Sequence, residues 1–184
     1  MKTEIRIAGV GGQGLVSASV VLAEGLGVVR DFQVVQTQFY ASHITGGASS
    51  GDVIVSDEKI IFPWVLQPDV LIGLAQDAVN AHGPNMRPGT TVIVDDIMAS
   101  DITPFGDGVV VYWAPLTRLA DEVGFRKCAN IVALGAVSRL TGLLELDQIS
   151  QAVSARAPGK AETNRKAVEA GYALELAPAE GRAA

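Results

Sequence analysis

Several things are scarce in this sequence, and each shortage excludes something. Among 184 residues there is one cysteine, Cys128, so no internal disulfide can form. One thiol also cannot supply the ligands of an iron–sulfur cluster or a structural zinc site, and a reducing, cytoplasmic setting is expected. Cys128 itself, close to a helix start, reads as a small core residue. The two histidines, His43 and His82, have no second His, Cys or carboxylate at metal-ligand spacing, so no metal is expected on this chain alone. Lys and Arg number 14 against 20 Asp and Glu, and the net charge is -6. That balance argues against a phosphate-backbone partner, which needs clustered cations, so no nucleic acid is expected. No run of about 18 uninterrupted apolar residues occurs, so no membrane partner is expected either. Lys2, Glu4 and Arg6, set among apolar residues, read as a strand rather than a signal peptide.

What remains is 48% hydrophobic, with 20 glycines, the composition of a compact α/β domain. One domain is expected over residues 1–176, followed by a frayed tail at 177–184. The run IRIAGV (Ile5 to Val10) predicts a strand, and Leu15 to Leu26 carries apolar residues at helical spacing. Further strands are predicted at Phe32 to Val35, Asp52 to Val55, Lys59 to Phe62, Val70 to Leu74, Thr90 to Asp96 and Gly108 to Trp113. Ser56-Asp57-Glu58 would join the second and third of these as an antiparallel hairpin. The polar and glycine stretch from Gln36 to Gly51 reads as one long loop, a length usually tied to function or to a partner. Helices are predicted at Gln76 to Ala81, Leu116 to Val123, Ala129 to Thr141, Leu146 to Ala157 and Glu162 to about Leu176. The fold class is therefore a three-layer, Rossmann-like α/β sandwich: a largely parallel sheet, an antiparallel hairpin insertion and a helical C-terminal portion.

Between the first strand and first helix, Gly9, Gly11 and Gly14 satisfy GxGxxG in the context that gives the motif meaning. Such glycines allow a tight turn and close approach of a phosphate to a helix N-terminus. A nicotinamide cofactor also needs a carboxylate at the end of the second strand, and that region reads VVQTQ. The motif does not predict an ordinary NAD(P) site. Gln13, with both a donor and an acceptor, either clamps a ligand or partner loop or braces the turn.

Tyr40, His43, Thr45, Ser49, Ser50 and Asp52 invite a Ser-His-Asp reading, but no GxSxG elbow is present, and a hydrogen-bonded loop fits them better. Asp95-Asp96 at a strand end reads as helix capping or strand-end solvation rather than a magnesium site. No GxxxxGK[ST] occurs. No self-sufficient catalytic set is found.

The ordered segments IAGVGGQGL, FYASHITGGASSGDVIVSD, FPWVLQPDVLIGLAQDA and CANIVALGAVSRLTGL, then a helix with Asn164 and Gly171-Tyr172, together resemble one family. The chain is similar, from about residue 3 to 173, to the gamma subunit or gamma domain of 2-oxoacid:ferredoxin (acceptor) oxidoreductases. The resemblance implies a subunit of a complex that oxidatively decarboxylates a 2-oxoacid, such as pyruvate, 2-oxoglutarate, or a branched-chain or aryl 2-oxoacid. The acid is joined to coenzyme A, and electrons pass to ferredoxin or another acceptor. It implies alpha, beta and delta partners, with thiamine diphosphate, magnesium and iron–sulfur clusters held there and no cofactor held here. The isolated chain is expected to be inactive. Coenzyme A is the one co-substrate expected to touch this chain, and ligand or interface candidates are Gly11, Gly12, Gln13, Gly14, Tyr40, His43, Thr45, Gly46, Gly47 and Ser49. Thr45 stands where relatives commonly carry arginine, with His43 as a partial substitute. Two readings of the residues stay open beside this one: a free-standing nucleotide or acyl-CoA binding protein, and a pure assembly module.

Overall fold

A computed structural model describes residues 1–40 and 49–179. Its six strands form a mixed sheet in the order β2-β3-β1-β4-β5-β6: β1 (Lys2–Gly9), β2 (Gln33–Phe39), β3 (Ser49–Ser56), β4 (Val70–Gly73), β5 (Thr91–Asp95) and β6 (Val110–Ala114). The pairs β1-β4, β4-β5 and β5-β6 are parallel, whereas β3 runs antiparallel to both β1 and β2. Strand β3 is buried along nearly its whole length, as expected of a strand with a neighbour on each edge.

The helices are α1 (Leu15–Glu24), α2 (Gln76–His82), α3 (Leu116–Glu122), α4 (Ala129–Thr141), α5 (Leu146–Arg156) and α6 (Ala161–Tyr172). Alternation along the strands sorts the core onto two faces. Ile5, Ile7, Val53, Val55, Val70 and Ile72 pack on the layer made by α1 and α3 to α6. Ala8, Leu71, Val92, Val94 and Val111 point the other way, against Ala78 and Val79 of α2. Helices thus cover both faces, as the composition and strand-helix alternation predict. No helix among the described residues is long and apolar enough to cross a membrane.

The strand pattern departs from expectation in one region. Lys59 to Phe62 forms no strand; Ile61 and Phe62 are exposed, and the segment 57–69 runs as an irregular strap between β3 and β4. The reason lies in the ladders: β3 already pairs with β1 on one edge and β2 on the other, so no edge is left for a hairpin partner. The antiparallel insertion is instead β2-β3, because β2 runs on to Phe39 and β3 begins at Ser49. Gly51 is required inside β3: a Cβ there would meet the Ser19 hydroxyl of α1 at 2.3 Å.

Candidate functional site

The connection after β1 enters α1 on one face of the sheet, and the connection after β4 enters α2 on the other. Because β1 and β4 are parallel neighbours, their C-terminal ends flank a topological switch point, the place where open α/β sheets present a crevice. A cavity of about 180 Å³ lies there, lined by Gly12, Gln13, Leu74, Asp95, Thr117 and Asn130, with Met98, Arg126, Lys127 and Ala129 completing the wall.

The glycine turn forms the near wall. Gly12 and Gly14 have φ of 90° and 70°, in the left-handed region that disfavours a side chain. Gly14 is also the N-cap of α1, and a Cβ on it would approach Asn130 Nδ2 at 2.6 Å. That Nδ2 donates to the Gly14 carbonyl at 3.0 Å, tying the turn to the first helical residues of α4.

Gln13 is the brace of the turn. Its Oε1 accepts from the Val10 N–H at 2.8 Å, and its Nε2 donates to the Leu74 carbonyl at 2.7 Å. One amide therefore links the ends of β1 and β4 across the switch point. One proton on Nε2 and one lone pair on Oε1 remain outside these two bonds, on a side chain that lines the cavity.

The far wall carries charge. Asp95, 1% exposed at the end of β5, accepts from the Ile97 N–H at 3.1 Å through Oδ1, and from the Thr117 N–H at 3.1 Å and the Thr117 hydroxyl through Oδ2. It caps the first turn of α3, as the capping reading of Asp95-Asp96 anticipates, while Asp96 pairs with Arg118 at 3.0 Å. Arg126 is exposed and pairs with Asp121 at 2.5 Å; Lys127 is exposed and has no ion pair among the described residues. Both stand just before α4, whose N-terminal amides favour an anion. Cys128, 2% exposed, is buried in the core as expected, and burial pushes its thiol up, away from the reactive thiolate.

Of the residues chosen from sequence, Gly12 and Gln13 line the cavity, with Gly11 and Gly14 in the same turn. Ser49 pairs with Gly9 in the β1-β3 register, and Tyr40 follows β2, so both lie at the same end of the sheet but on the β3 side, away from the cavity. His43, Thr45, Gly46 and Gly47 lie outside the described residues. Asp52 is held by Arg6 through a bidentate pair at 2.9 and 2.6 Å, which removes it from any triad. The second strand also fails a dinucleotide on topology. Strand β3 separates β2 from β1 by two strand spacings, about 10 Å, where a ribose-binding acid would have to sit on an immediate neighbour. Asn130, Arg126, Lys127 and Thr117 were not singled out from sequence. Two adjacent cations directly before a helix start are the signal that could have found the middle pair.

The fold recurs in known proteins. The family model described as pyruvate ferredoxin/flavodoxin oxidoreductase matches residues 4–174. The chain belongs to that family. It is 39% identical over 175 residues to the 2-oxoglutarate synthase subunit KorC of Methanocaldococcus jannaschii, covering 94% of this chain and 93% of that one. The crystal structure of a keto/oxoacid ferredoxin oxidoreductase gamma subunit from Geobacter sulfurreducens superposes with a TM-score of 0.81 at 34% identity, over 94% of this chain and 95% of that one. A 2-oxoglutarate:ferredoxin oxidoreductase from Magnetococcus marinus, solved with 2-oxoglutarate, coenzyme A and succinyl-CoA bound, matches at TM-score 0.83 and 26% identity. That match covers 94% of this chain but 30% of its own. The chain is a gamma-type member of the family, and the expected fold and recognition are borne out.

Proposed function

We propose that this chain is the gamma subunit of a cytoplasmic 2-oxoglutarate:ferredoxin oxidoreductase, and that its switch-point crevice contacts the anionic part of coenzyme A. The complex would convert 2-oxoglutarate and coenzyme A to succinyl-CoA and CO2, passing two electrons to ferredoxin. The choice of 2-oxoglutarate is supported by the named function of the relative at 39% identity. The coenzyme A contact is carried by one observation: the glycine turn, the start of α4 and the Arg126-Lys127 pair converge on one cavity.

Its size sets the role. At about 180 Å³ the cavity is smaller than the roughly 300–1,000 Å³ that encloses a whole drug-sized ligand. This chain supplies part of a binding surface, and alpha, beta or delta subunits supply the rest. A single buried thiol does not fit the ligand set of an iron–sulfur cluster, so electron transfer and the thiamine-dependent chemistry are assigned to those partners. The isolated chain binds weakly and turns nothing over.

The test is kinetic, in the reconstituted complex. Arg126→Ala with Lys127→Ala raises KM for coenzyme A about tenfold, as loss of a charge-assisted contact does. KM for 2-oxoglutarate and kcat stay unchanged. An unaltered coenzyme A KM in an intact complex points to a pure assembly module, and tight coenzyme A binding by the isolated chain points to a free-standing binding protein.

A further inference from the structure

The strap 57–69, left over when the expected hairpin is lost, presents an apolar surface. From Ile60 to Pro68 it reads IIFPWVLQP, without a charge, in a protein of net charge -6. Val65 and Pro68 turn inward, Val65 at 5% exposure, and the Val65 carbonyl accepts from Arg6 Nη2 at 2.8 Å. Ile61 is 90%, Phe62 52%, Trp64 56% and Leu66 72% exposed. Four large apolar side chains exposed within six residues form an apolar surface of the kind that marks interaction sites. The strap is also fastened at both ends: the Met1 amino group binds Asp57, and the Asp69 carboxylate accepts from the Glu4 N–H at 2.8 Å. It is held in place with its apolar side outward.

We infer that this strap is the docking surface for a companion subunit of the oxidoreductase, the one equivalent to the remainder of the longer Magnetococcus chain. Two observations choose that occupant over a second copy of this chain. Two straps packed together would bury on the order of 1,000 Å², short of the ~1,200–2,000 Å² of a stable specific interface, so the surface needs a partner that extends beyond it. In the Magnetococcus protein the matching part is 30% of one chain, so the remainder of that chain is covalently tethered to this fold and held beside it at high effective concentration. The partner face is apolar, with a pocket that takes an aromatic ring, since charge is depleted and aromatic residues anchor at interface cores.

The experiment co-expresses this chain with its companion subunits and measures co-purification with Phe62→Asp and Trp64→Asp together. Recovery of the companion falls at least tenfold, while Val28→Asp, at an exposed apolar residue outside the strap, leaves recovery unchanged. Circular dichroism of the isolated variant checks its fold. Hydrogen exchange on the wild-type chain, free and in the complex, gives a readout that needs no variant: amides in 57–69 become protected on assembly. Full assembly of the folded double variant, or unprotected strap amides in the complex, overturns the inference. A wild-type dimer that the double variant converts to monomer overturns it in favour of a second copy.

Discussion

Gln13 and Leu74, sixty-one residues apart, are joined by a 2.7 Å hydrogen bond that spans the ends of β1 and β4. With the bond from Val10 to its Oε1, the Gln13 amide holds the switch point at a fixed width. A side chain that merely awaited a ligand would cost nothing when removed from the isolated chain. Gln13→Ala is expected to lower stability by about 1–2 kcal/mol in urea denaturation with no ligand present, the cost of two partly buried bonds offset in part by water. Gln13→Glu keeps the acceptor for Val10 but turns an oxygen toward the Leu74 carbonyl, so it is expected to cost more than alanine.

Gly14 and Asn130 form the second tie across the crevice. Gly14→Ala places a methyl within 2.6 Å of Asn130 Nδ2 at a φ of 70°, and a loss of about 2–3 kcal/mol is expected from strain and contact together. Asn130→Ala alone is expected to cost about 1 kcal/mol, because the Gly14 carbonyl keeps its bond from the Ala18 N–H. The double variant should lose less than the sum, since removing the amide relieves the contact and leaves only the backbone strain. A double-mutant cycle by thermal or chemical unfolding measures the difference, and strict additivity would show that the two residues do not interact.

These ties also show where sequence reading succeeds. The strand-turn-helix around Gly9 to Leu15, the apolar parallel strands β4 and β5, and α3 to α6 follow from local periodicity, because each buries its pattern where it stands. Strands β2 and β3 are legible in part, at Phe32 to Val35 and Asp52 to Val55, but residues 36–39 of β2 and 49–51 of β3 hide from the same reading. Gln36 and Gln38 place amides where a half-buried strand usually shows apolar residues, and Gln36 Nε2 donates both to the distant Ser19 hydroxyl at 3.0 Å and to the Thr37 carbonyl at 2.9 Å. Ser49-Ser50-Gly51 looks like a loop until Ser19 is packed against Gly51. The far wall of the crevice was missed for a related reason. Asp95 meets Thr117 and Gly14 meets Asn130 only through the fold, over separations of 22 and 116 residues.

His82 supplies a pH test. It sits at the C-terminal end of α2, and burial, with the nearby Arg6 charge second, pushes its imidazole down to about 4 from 6.5, against an opposing pull from Asp52. Above pH 6.5 the ring is neutral in both folded and unfolded chains, and it contributes no slope. As pH falls from 6.5 toward 4 the unfolded chain takes up a proton that the folded chain refuses, so stability declines through that window. The ring is partly solvated, and a loss on the order of 2 kcal/mol is expected. His82→Gln should flatten this part of the profile in urea titrations, and an unchanged slope would exclude His82 as its source.

Arg6 does two jobs with one guanidinium, and they can be separated. Its bidentate pair with Asp52 joins β1 to β3 with both side chains largely buried, at 14% and 8% exposure. Breaking it by Arg6→Met leaves an uncompensated buried carboxylate, and a loss of about 3–5 kcal/mol is expected. Arg6→Met with Asp52→Leu removes both charges and should recover most of that loss, because well-packed apolar residues replace a buried pair at little cost. The second job is not recovered. The Val65 carbonyl loses its donor in either variant, so the middle of the strap is released while its two ends stay fastened and Ile61, Phe62, Trp64 and Leu66 are untouched. The double variant is therefore expected to unfold near the wild-type denaturant midpoint, to exchange its strap amides faster as an isolated chain, and to recover its companion subunit several-fold less well. Wild-type strap exchange in that stable background would show that Val65 is held without Arg6.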